Sequence, residues 1–236
     1  MKLEIQLAVQ KINKYASGES GDTVEVVERP NGGISIVMAD GQRSGRSAKT
    51  ISNIVVRKAI SLIAEGVRDG AVARATHDYL RTHRGGKVSA ELIIVSADLA
   101  TNTIVVSRNA RCPILVRRHD DVCWLNSASD AIGIYTNTKP AIDQFPLEAE
   151  LALVAFTDGV WSSGPQAAGN VDVEVILRRV DPEFTKGADE VAAAILAEAL
   201  ERDDGRPRDD AAVVVMKTVA QTVVSEVRTL AMSFPI

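Results

Sequence analysis

Strand-like and helix-like segments of this sequence occur in consecutive pairs rather than in alternation. Near the start, two β-branched stretches, 23–28 and 34–39, flank the turn-forming residues RPNGG and predict a hairpin. Two amphipathic stretches follow, 48–68 and 71–82, and predict two successive helices. Because a βαβ winding places a helix between successive strands, this order favours mainly antiparallel sheets with helices segregated from them.

The rest of the chain repeats this order. Two further hairpins are predicted in ELIIVSADLATNTIVVSRNA and PILVRRHDDVCWLN, then a strand in LEAELALVAFTDG, then helices at 171–180 and 188–202. A last strand, AAVVVMK, precedes a tail with alternating apolar residues, which are Leu230, Met232, Phe234 and Ile236. We therefore expect a single domain over 1–236, with 219–236 as a terminal strand extension.

Composition excludes several classes of protein. The chain has 236 residues and a net charge of −4, without a block of basic residues, so nucleic acid is not an expected partner. No apolar run approaches the roughly 18 residues of a membrane span, and the first residues lack a signal-peptide pattern. Cys112 and Cys123 lack metal-site spacing. These features predict a cytoplasmic protein with reduced thiols and no membrane partner.

Two carboxylates flank the first predicted hairpin. Asp22 precedes the strand 23–28, and Asp40 ends the strand 34–39. If the hairpin turns near Asn31, the two aspartates are equally far from the turn and face each other across the antiparallel pair. Asp40 is followed by glycine, and for a single Asp-Gly the usual explanation is turn chemistry.

Further carboxylates lie at other predicted strand ends. Asp158 ends the strand LALVAFT, and Asp209 and Asp210 open the strand AAVVVMK. Since the end of one antiparallel strand lies beside the start of its neighbour, one sheet edge can collect Asp22, Asp40, Asp158 and Asp209. Crowded carboxylates repel unless they are protonated or bind cations, and hard oxygen ligands suit Mg²⁺ or Mn²⁺. For any one of these residues, spacing alone still favours turn chemistry over metal binding.

Four short stretches together resemble one known family. ADGQRSGRSA is similar to the Asp-Gly-x-x-x-Gly-x-x-Ala stretch of the bacterial metal-dependent serine/threonine phosphatases of type 2C. ALVAFTDGVW, RDDAAVVV and ESGD resemble that family's second signature, its last signature and its acidic entry. Their order and spacing agree across 19–216. The similarity is greatest to the sporulation and stress-response branch, including its small stressosome type.

The resemblance implies an α+β fold, a four-layer αββα sandwich with two central antiparallel β-sheets flanked by helix pairs. It also implies two Mn²⁺ or Mg²⁺ ions at one end and a shared water that attacks phosphorus. Carried over by position, the catalytic aspartates are Asp40, Asp158 and Asp209. Asp40 would bridge the ions with the backbone carbonyl of Gly41 as a further ligand, and Asp22 would bind directly or through water.

By the same resemblance, the protein is a phosphoserine/phosphothreonine phosphatase. Its substrate would be a phosphorylated regulatory protein, either an anti-sigma-factor antagonist or a stressosome scaffold subunit. Two alternatives stay open at this point: a catalytically inactive binding module of the same fold, and a phosphatase for small molecules. The intact acids argue against the inactive module.

The sequence departs from the family in places. Gln42 stands where many relatives have a histidine that donates a proton, and Ser162 stands where some have an aspartate for a third ion. No arginine is clearly placed to bind phosphate: Arg43 and Arg46 are near the first motif, but loop arginines are usually just solvated. The three histidines are scattered and suggest no Ser-His-Asp arrangement.

Overall fold

The structure is a computed structural model that describes residues 2–221 and 226–233. The strands are, in chain order, β1 (Leu3–Ile12), β2 (Asp22–Glu28), β3 (Gly33–Gly41), β4 (Ala90–Asp98), β5 (Thr103–Asn109), β6 (Ile114–Arg118), β7 (Asp121–Leu125), β8 (Ala141–Pro146), β9 (Leu151–Phe156) and β10 (Ala211–Ala220). The α-helices are α1 (Gly45–Ala64), α2 (Asp69–His83), α3 (Asp158–Trp161), α4 (Val173–Val180) and α5 (Ala188–Arg202).

The strands form two antiparallel sheets of five strands each. One sheet has the order β1-β10-β9-β6-β7, and the other has the order β2-β3-β4-β5-β8. All strand pairs within both sheets are antiparallel. Helices α1 and α2 pack on the β2-β3-β4-β5-β8 sheet, and α5 packs on β1 and β10 of the other, with α4 beside it. The predicted αββα sandwich is confirmed.

Strand β3 shows how the layers are built. Its side chains alternate between two buried faces: Ile36 and Met38 join the core between the sheets, while Val37 and Ala39 join the core beneath α1 and α2. Because both faces are buried, the strand appears in the sequence as a continuous apolar run rather than an alternating one. Because β3 is paired on both sides, with β2 and β4, the backbone of Asp40 near its end is held in place.

Helix α1 has one buried face and ends just before a left-handed glycine. Its buried positions recur every three or four residues, at Ala48, Ile51, Ser52, Val55, Val56, Ala59 and Ile63, as expected for a helix with one face on a sheet. The predicted end at 68 is four residues too late. Gly66 has a positive φ of 82°, and its N–H donates to the carbonyl of Ile63. A left-handed glycine at this position stops a helix.

The tail differs from its prediction. Residues 226–233 contain no strand, and Leu230 and Met232 are 84% and 89% exposed, so the predicted terminal strand is wrong for this segment. Phe234 and Ile236 lie outside the described residues. Alternation of apolar residues produces a strand only where a sheet edge accepts it, and neither sheet, as described, includes this segment.

Strand β8, at the edge of its sheet, was not predicted from the sequence. Its side chains alternate between half-buried and exposed. Among the described residues, no helix has both the length and the apolar character needed to cross a membrane.

Candidate metal centre

The first hairpin brings two acids together as predicted. In the register of β2 and β3, Asp22 lies directly opposite Asp40. Asp22 is fully buried and is the first residue of β2, whereas Asp40 is the last residue but one of β3. Side chains directly opposite in an antiparallel pair are close neighbours, so two carboxylates are held against each other by backbone hydrogen bonding alone.

The second pair of strands supplies two more acids from the other sheet. Strand β9 ends at Phe156, which pairs with Val213 of β10. Asp158 follows β9 as the first residue of α3, and Asp209 precedes β10, so both lie at the same end of the sandwich. A cavity of about 520 Å³ opens there. Its lining includes all the predicted site residues, Asp22, Asp40, Gly41, Asp158 and Asp209. We call this the acidic cavity.

Burial and mutual repulsion disfavour ionisation in this cavity. Burial raises the pKa of the Asp40 carboxyl to about 9, and the charges of Asp22 and Asp158 add to the shift. Burial also raises the pKa of Asp22 to about 7, although the hydrogen bond from Thr157 opposes the change. The pKa of Asp158 is raised by burial and by Asp209. Such like charges keep their ionised forms only when a cation compensates them.

One carboxylate oxygen in the cavity wall has no partner within the protein. Oδ2 of Asp22 accepts a hydrogen bond of 3.0 Å from the hydroxyl of Thr157. Oδ1 of Asp22 is buried and has no hydrogen-bond partner in the described part of the chain. A buried oxygen without a donor is costly, and a hard cation would satisfy it. The oxygen-only ligand set therefore fits Mg²⁺ or Mn²⁺.

The acids share a cavity without forming a closed cage. Among residues 2–221 and 226–233, no three side chains of His, Cys, Asp or Glu stand close enough together to enclose an ion. The arrangement is thus a set of ligands around a common opening. The fit rests on the charge, the burial and the unpaired oxygen of Asp22 rather than on preformed coordination.

The two acids before β10 have different tasks. Oδ1 of Asp210 accepts the backbone N–H of Lys14 at 2.9 Å, and Oδ2 accepts the N–H of Gly21 at 2.8 Å. Its two oxygens therefore hold the segment between β1 and β2 in place. Asp209 is only half-buried and spends one oxygen on the N–H of Asp210, at 2.9 Å. Asp209 is the acid of the pair with an oxygen left for a ligand.

The glycine after each key aspartate is explained by space rather than by a turn. Asp40 and Gly41 both belong to β3, and a Cβ on Gly41 would lie 2.1 Å from the carbonyl oxygen of Ala48. A Cβ on Gly159 would lie 2.1 Å from the carbonyl oxygen of Asp210. Neither distance is possible for a real Cβ. Asp40-Gly41 therefore forms no turn, whereas Asp158-Gly159 lies in the helical turn of α3; at both positions glycine lets a neighbouring backbone, that of α1 or of the residues before β10, approach the site.

Glu91 is a further acid that the sequence analysis missed. It is the residue of β4 directly opposite Asp40, its charge adds to the raised pKa of Asp40, and it lines the acidic cavity. Nε of Arg111 donates to Glu91 Oε1 at 2.9 Å, and Arg111 also lines the cavity. Glu91 is the first residue of the predicted strand ELIIVSAD, and this strand-end position is the signal by which the sequence could have identified it.

Two lysines hold the main chain beneath the site. Nζ of Lys11 and Nζ of Lys49 both donate to the backbone carbonyl of Asp22, at 2.5 and 2.9 Å. Burial lowers the pKa of Lys11 to about 8, with a further lowering by Lys49. The lysines bond the carbonyl rather than the carboxylate, so they fix the position of Asp22 and leave its Oδ1 unpaired.

The predicted departures from the family also have a place in the structure. Gln42 borders the cavity, and its Oε1 accepts the N–H of Ser89 at 3.2 Å. Ser162 directly follows α3 and is not part of the lining. Arg43 lines the cavity and Arg46 does not. The cavity as described contains no histidine, in agreement with the scattered positions of the three histidines in the sequence.

Comparison with solved structures gives the same fold. The phosphatase domain of SpoIIE from Bacillus subtilis, with a fragment of its regulatory domain, superposes with a TM-score of 0.76 at 18% identity, over 94% of this chain and 65% of that chain. A Mycobacterium tuberculosis protein with RsbU and RsbW domains gives 0.77 at 16% identity, over 93% and 62%. This chain thus spans less than two thirds of either.

A third structure is matched over its whole length. The catalytic domain of the serine/threonine phosphatase PstP, in complex with two manganese ions, has a TM-score of 0.70 at 15% identity, over 93% of this chain and 100% of that chain. No curated protein matches the sequence. The family model described as stage II sporulation protein E matches residues 30–219, and the chain therefore belongs to that family, as its four motifs predicted.

Proposed function

We propose that this protein is a metal-dependent phosphatase that hydrolyses phosphoserine or phosphothreonine in another protein. The observation that carries the proposal is the register of β2 and β3, which places Asp22 against Asp40 at the wall of the acidic cavity. Asp158 and Asp209 reach the same cavity from the other sheet. The match to the sporulation family supports the reaction class.

Two Mn²⁺ or Mg²⁺ ions would be held by the acidic cavity. Asp40 would bridge them, the carbonyl of Gly41 would be a second ligand, Asp158 and Asp209 would each hold one ion, and Asp22 would complete the set directly or through water. The manganese ions of PstP support the number of ions. When bound, the ions would supply positive charge to the phosphoryl oxygens and an activated water for attack on phosphorus.

The chain's own contribution is to position these groups. The paired strands on both sides of β3 fix Asp40, and Thr157 holds one oxygen of Asp22. The bonds from the N–H groups of Lys14 and Gly21 to Asp210 fix the segment between β1 and β2. Arg111 is a cation in the lining, where it can meet phosphoryl oxygens. Gln42 cannot act as a proton-donating acid, so no residue of the first motif supplies a proton to the leaving alkoxide.

The finer assignment concerns the substrate. We propose a phosphorylated regulatory protein of the anti-sigma-factor-antagonist or stressosome-scaffold type, in the cytoplasm. A structural neighbour described under the bacterial stressosome, with a TM-score of 0.71 at 15% identity, and the RsbU and RsbW domains of the mycobacterial neighbour support a regulatory protein as the partner. The two cysteines, Cys112 and Cys123, are unpaired, which supports the cytoplasmic location.

The test is hydrolysis by the purified chain after removal and return of metal. We expect Mn²⁺-dependent turnover of p-nitrophenyl phosphate and of a phosphoserine protein, and a loss of roughly 100-fold or more in Asp158→Asn. No turnover by a folded sample loaded with Mn²⁺ would overturn the proposal in favour of a binding module. A higher kcat/KM on small phosphate esters than on phosphoproteins would instead favour a small-molecule phosphatase.

A further inference from the structure

A second cavity lies directly beside the acidic one. It has a volume of about 350 Å³ and is bounded by the first turns of α1 and by the segment that joins α2 to β4. Its lining includes Arg43 and Gln42, which also line the acidic cavity. The two openings therefore share part of their wall. We call this second opening the basic cavity.

The basic cavity carries only positive charge. Its lining includes Arg43, Arg84 and Lys87 and contains no carboxylate. Within residues 2–221 and 226–233, none of these three side chains takes part in an ion pair. The acidic cavity, which shares Gln42 and Arg43 with it, is lined mainly by carboxylates, so the two neighbouring cavities carry opposite charge.

Two details distinguish Arg84 and Arg43 within this lining. Nε of Arg84 is buried and has no hydrogen-bond partner among the described residues. A buried donor without an acceptor is unfavourable, so an anion that accepts a hydrogen bond from it would be stabilised. Arg43 has a positive φ of 77°, a backbone region that residues other than glycine rarely adopt. An arginine thus stands at a loop position that would suit glycine better.

We propose that the basic cavity binds an acidic side chain of the substrate protein, close in sequence to the phosphorylated residue. The inference rests on the proposed function, because it places the phosphoryl group in the acidic cavity. An extended chain advances about 3.3–3.6 Å per residue, so the neighbours of the phosphorylated residue enter the adjoining opening. The arginine fork suits a carboxylate, and the cations also offset the repulsion between the acidic cavity and an acidic substrate.

The experiment compares two phosphoserine peptides that differ only in charge. One carries Asp and Glu on both sides of the phosphoserine, and the other carries Asn and Gln at the same positions. We expect the wild-type protein with Mn²⁺ to show a kcat/KM at least fivefold higher for the acidic peptide. The double variant Arg84→Met/Lys87→Met should reduce this ratio to less than twofold. Lys87→Met alone, at an exposed position, should reduce it in part.

The matched control is Arg74→Met, which removes an exposed arginine from α2 that does not line either cavity. It should keep the wild-type ratio. Equal kcat/KM for the two peptides in the wild type, or an unchanged ratio in the folded double variant, would overturn the inference while leaving the proposed function intact. A preference for a second phosphoserine without any preference for Asp and Glu would overturn the assignment to a carboxylate.

Failure of the proposed function gives a different result. If no variant hydrolyses any phosphate ester, binding of the unphosphorylated acidic peptide is measured by fluorescence anisotropy. A loss of affinity of at least fivefold in the double variant, but not in Arg74→Met, would support the basic cavity as an acidic-peptide site. Equal affinity in all variants would overturn it.

Discussion

Two clusters of buried charge in this molecule are built in opposite ways. At the end of the sandwich, Asp22 and Asp40 place like charges against each other, with a raised pKa for both. On the outer side of the β1-β10-β9-β6-β7 sheet, Lys217 of β10 and Asp181 are both completely buried and form an ion pair. Buried charge with a matched partner fixes the architecture, whereas buried charge of one sign indicates a place for an external ion.

The paired cluster is satisfied almost entirely from within. Nζ of Lys217 also donates to the carbonyl of Lys186 at 2.6 Å, and Oδ1 of Asp181 accepts the N–H of Lys186 at 2.9 Å. The guanidinium of Arg117 donates to the carbonyls of Asp181 and Pro182 at 2.5 and 2.6 Å. These bonds attach the connection between α4 and α5 to its sheet. Within the described part of the chain, no buried side-chain atom of Arg117, Asp181 or Lys217 lacks a hydrogen-bond partner.

The largest expected effect comes from the acidic cluster. Asp40→Asn should lower Mn²⁺-dependent turnover by roughly 1,000-fold, because the proposed bridging ligand is lost. The same change should leave the melting temperature of the metal-free protein equal or higher, since a neutral Asn avoids the cost that burial and the neighbouring acids place on ionising the Asp40 carboxyl. Asp120→Asn, at an exposed turn, is the control and should change neither quantity. Near-wild-type turnover in Asp40→Asn at saturating Mn²⁺ would refute the two-metal assignment.

Breaking the paired cluster should damage stability instead. Lys217→Met leaves Asp181 buried without its partner and should lower the free energy of unfolding by about 3–5 kcal/mol. The measurement is urea unfolding followed by circular dichroism. The double change Lys217→Met/Asp181→Leu should recover part of the loss. A fall of less than about 1 kcal/mol in the single variant would show that the two clusters do not differ as described.

The pH dependence of stability should distinguish the clusters next. In the folded metal-free protein, the pKa values of Asp22 and Asp40 are raised to about 7 and about 9, above the ordinary value of 3.8. Between these values the unfolded chain has released protons that the folded state retains. The free energy of unfolding should therefore fall as pH rises from about 5 to 9, by up to about 1.4 kcal/mol per pH unit for each acid that retains its proton, so the decline is steeper below pH 7 than above it.

The check is thermal unfolding in a chelator at pH 5, 7 and 9. Asp40→Asn should flatten the decline, and added Mn²⁺ should raise the melting temperature more at pH 8 than at pH 5, because cations bind the ionised acids. Stability that is constant or increases across this range would contradict the electrostatic account of the acidic cavity.

The smallest expected effect on stability comes from an ion pair on the surface of α4. Arg178 and Glu174 are one turn apart on α4, with Nε and Oε1 separated by 3.0 Å. Because Arg178 is exposed and Glu174 only half-buried, Glu174→Gln should lower the free energy of unfolding by less than about 1 kcal/mol. The same urea titration measures it. A loss comparable to that of Lys217→Met would mean that burial is not what sets the strength of the internal pair.

The sequence could predict features formed by residues that are close together along the chain. The pairing of Asp22 with Asp40 followed from a symmetric hairpin, because the turn fixes the register. Asp181 and Lys217 are 36 residues apart, and no periodicity or motif signals that both are buried. The basic cavity was likewise not predictable, because it needs Arg84 and Lys87 to reach the start of α1. Contacts between distant segments are decided by packing, which hydrophobic patterns describe only coarsely.

The hydrogen bonds of Asp210 have a consequence for how the molecule is made. This carboxylate joins Lys14 and Gly21 to a position 196 and 189 residues later in the chain, beside the pairing of β1 with β10. A ribosome therefore releases the first strand long before its neighbour exists, and a growing chain has no finished catalytic end until its last strand has been synthesised. Such distant pairing slows folding. We expect activity to appear late during refolding, after most of the helical signal has returned.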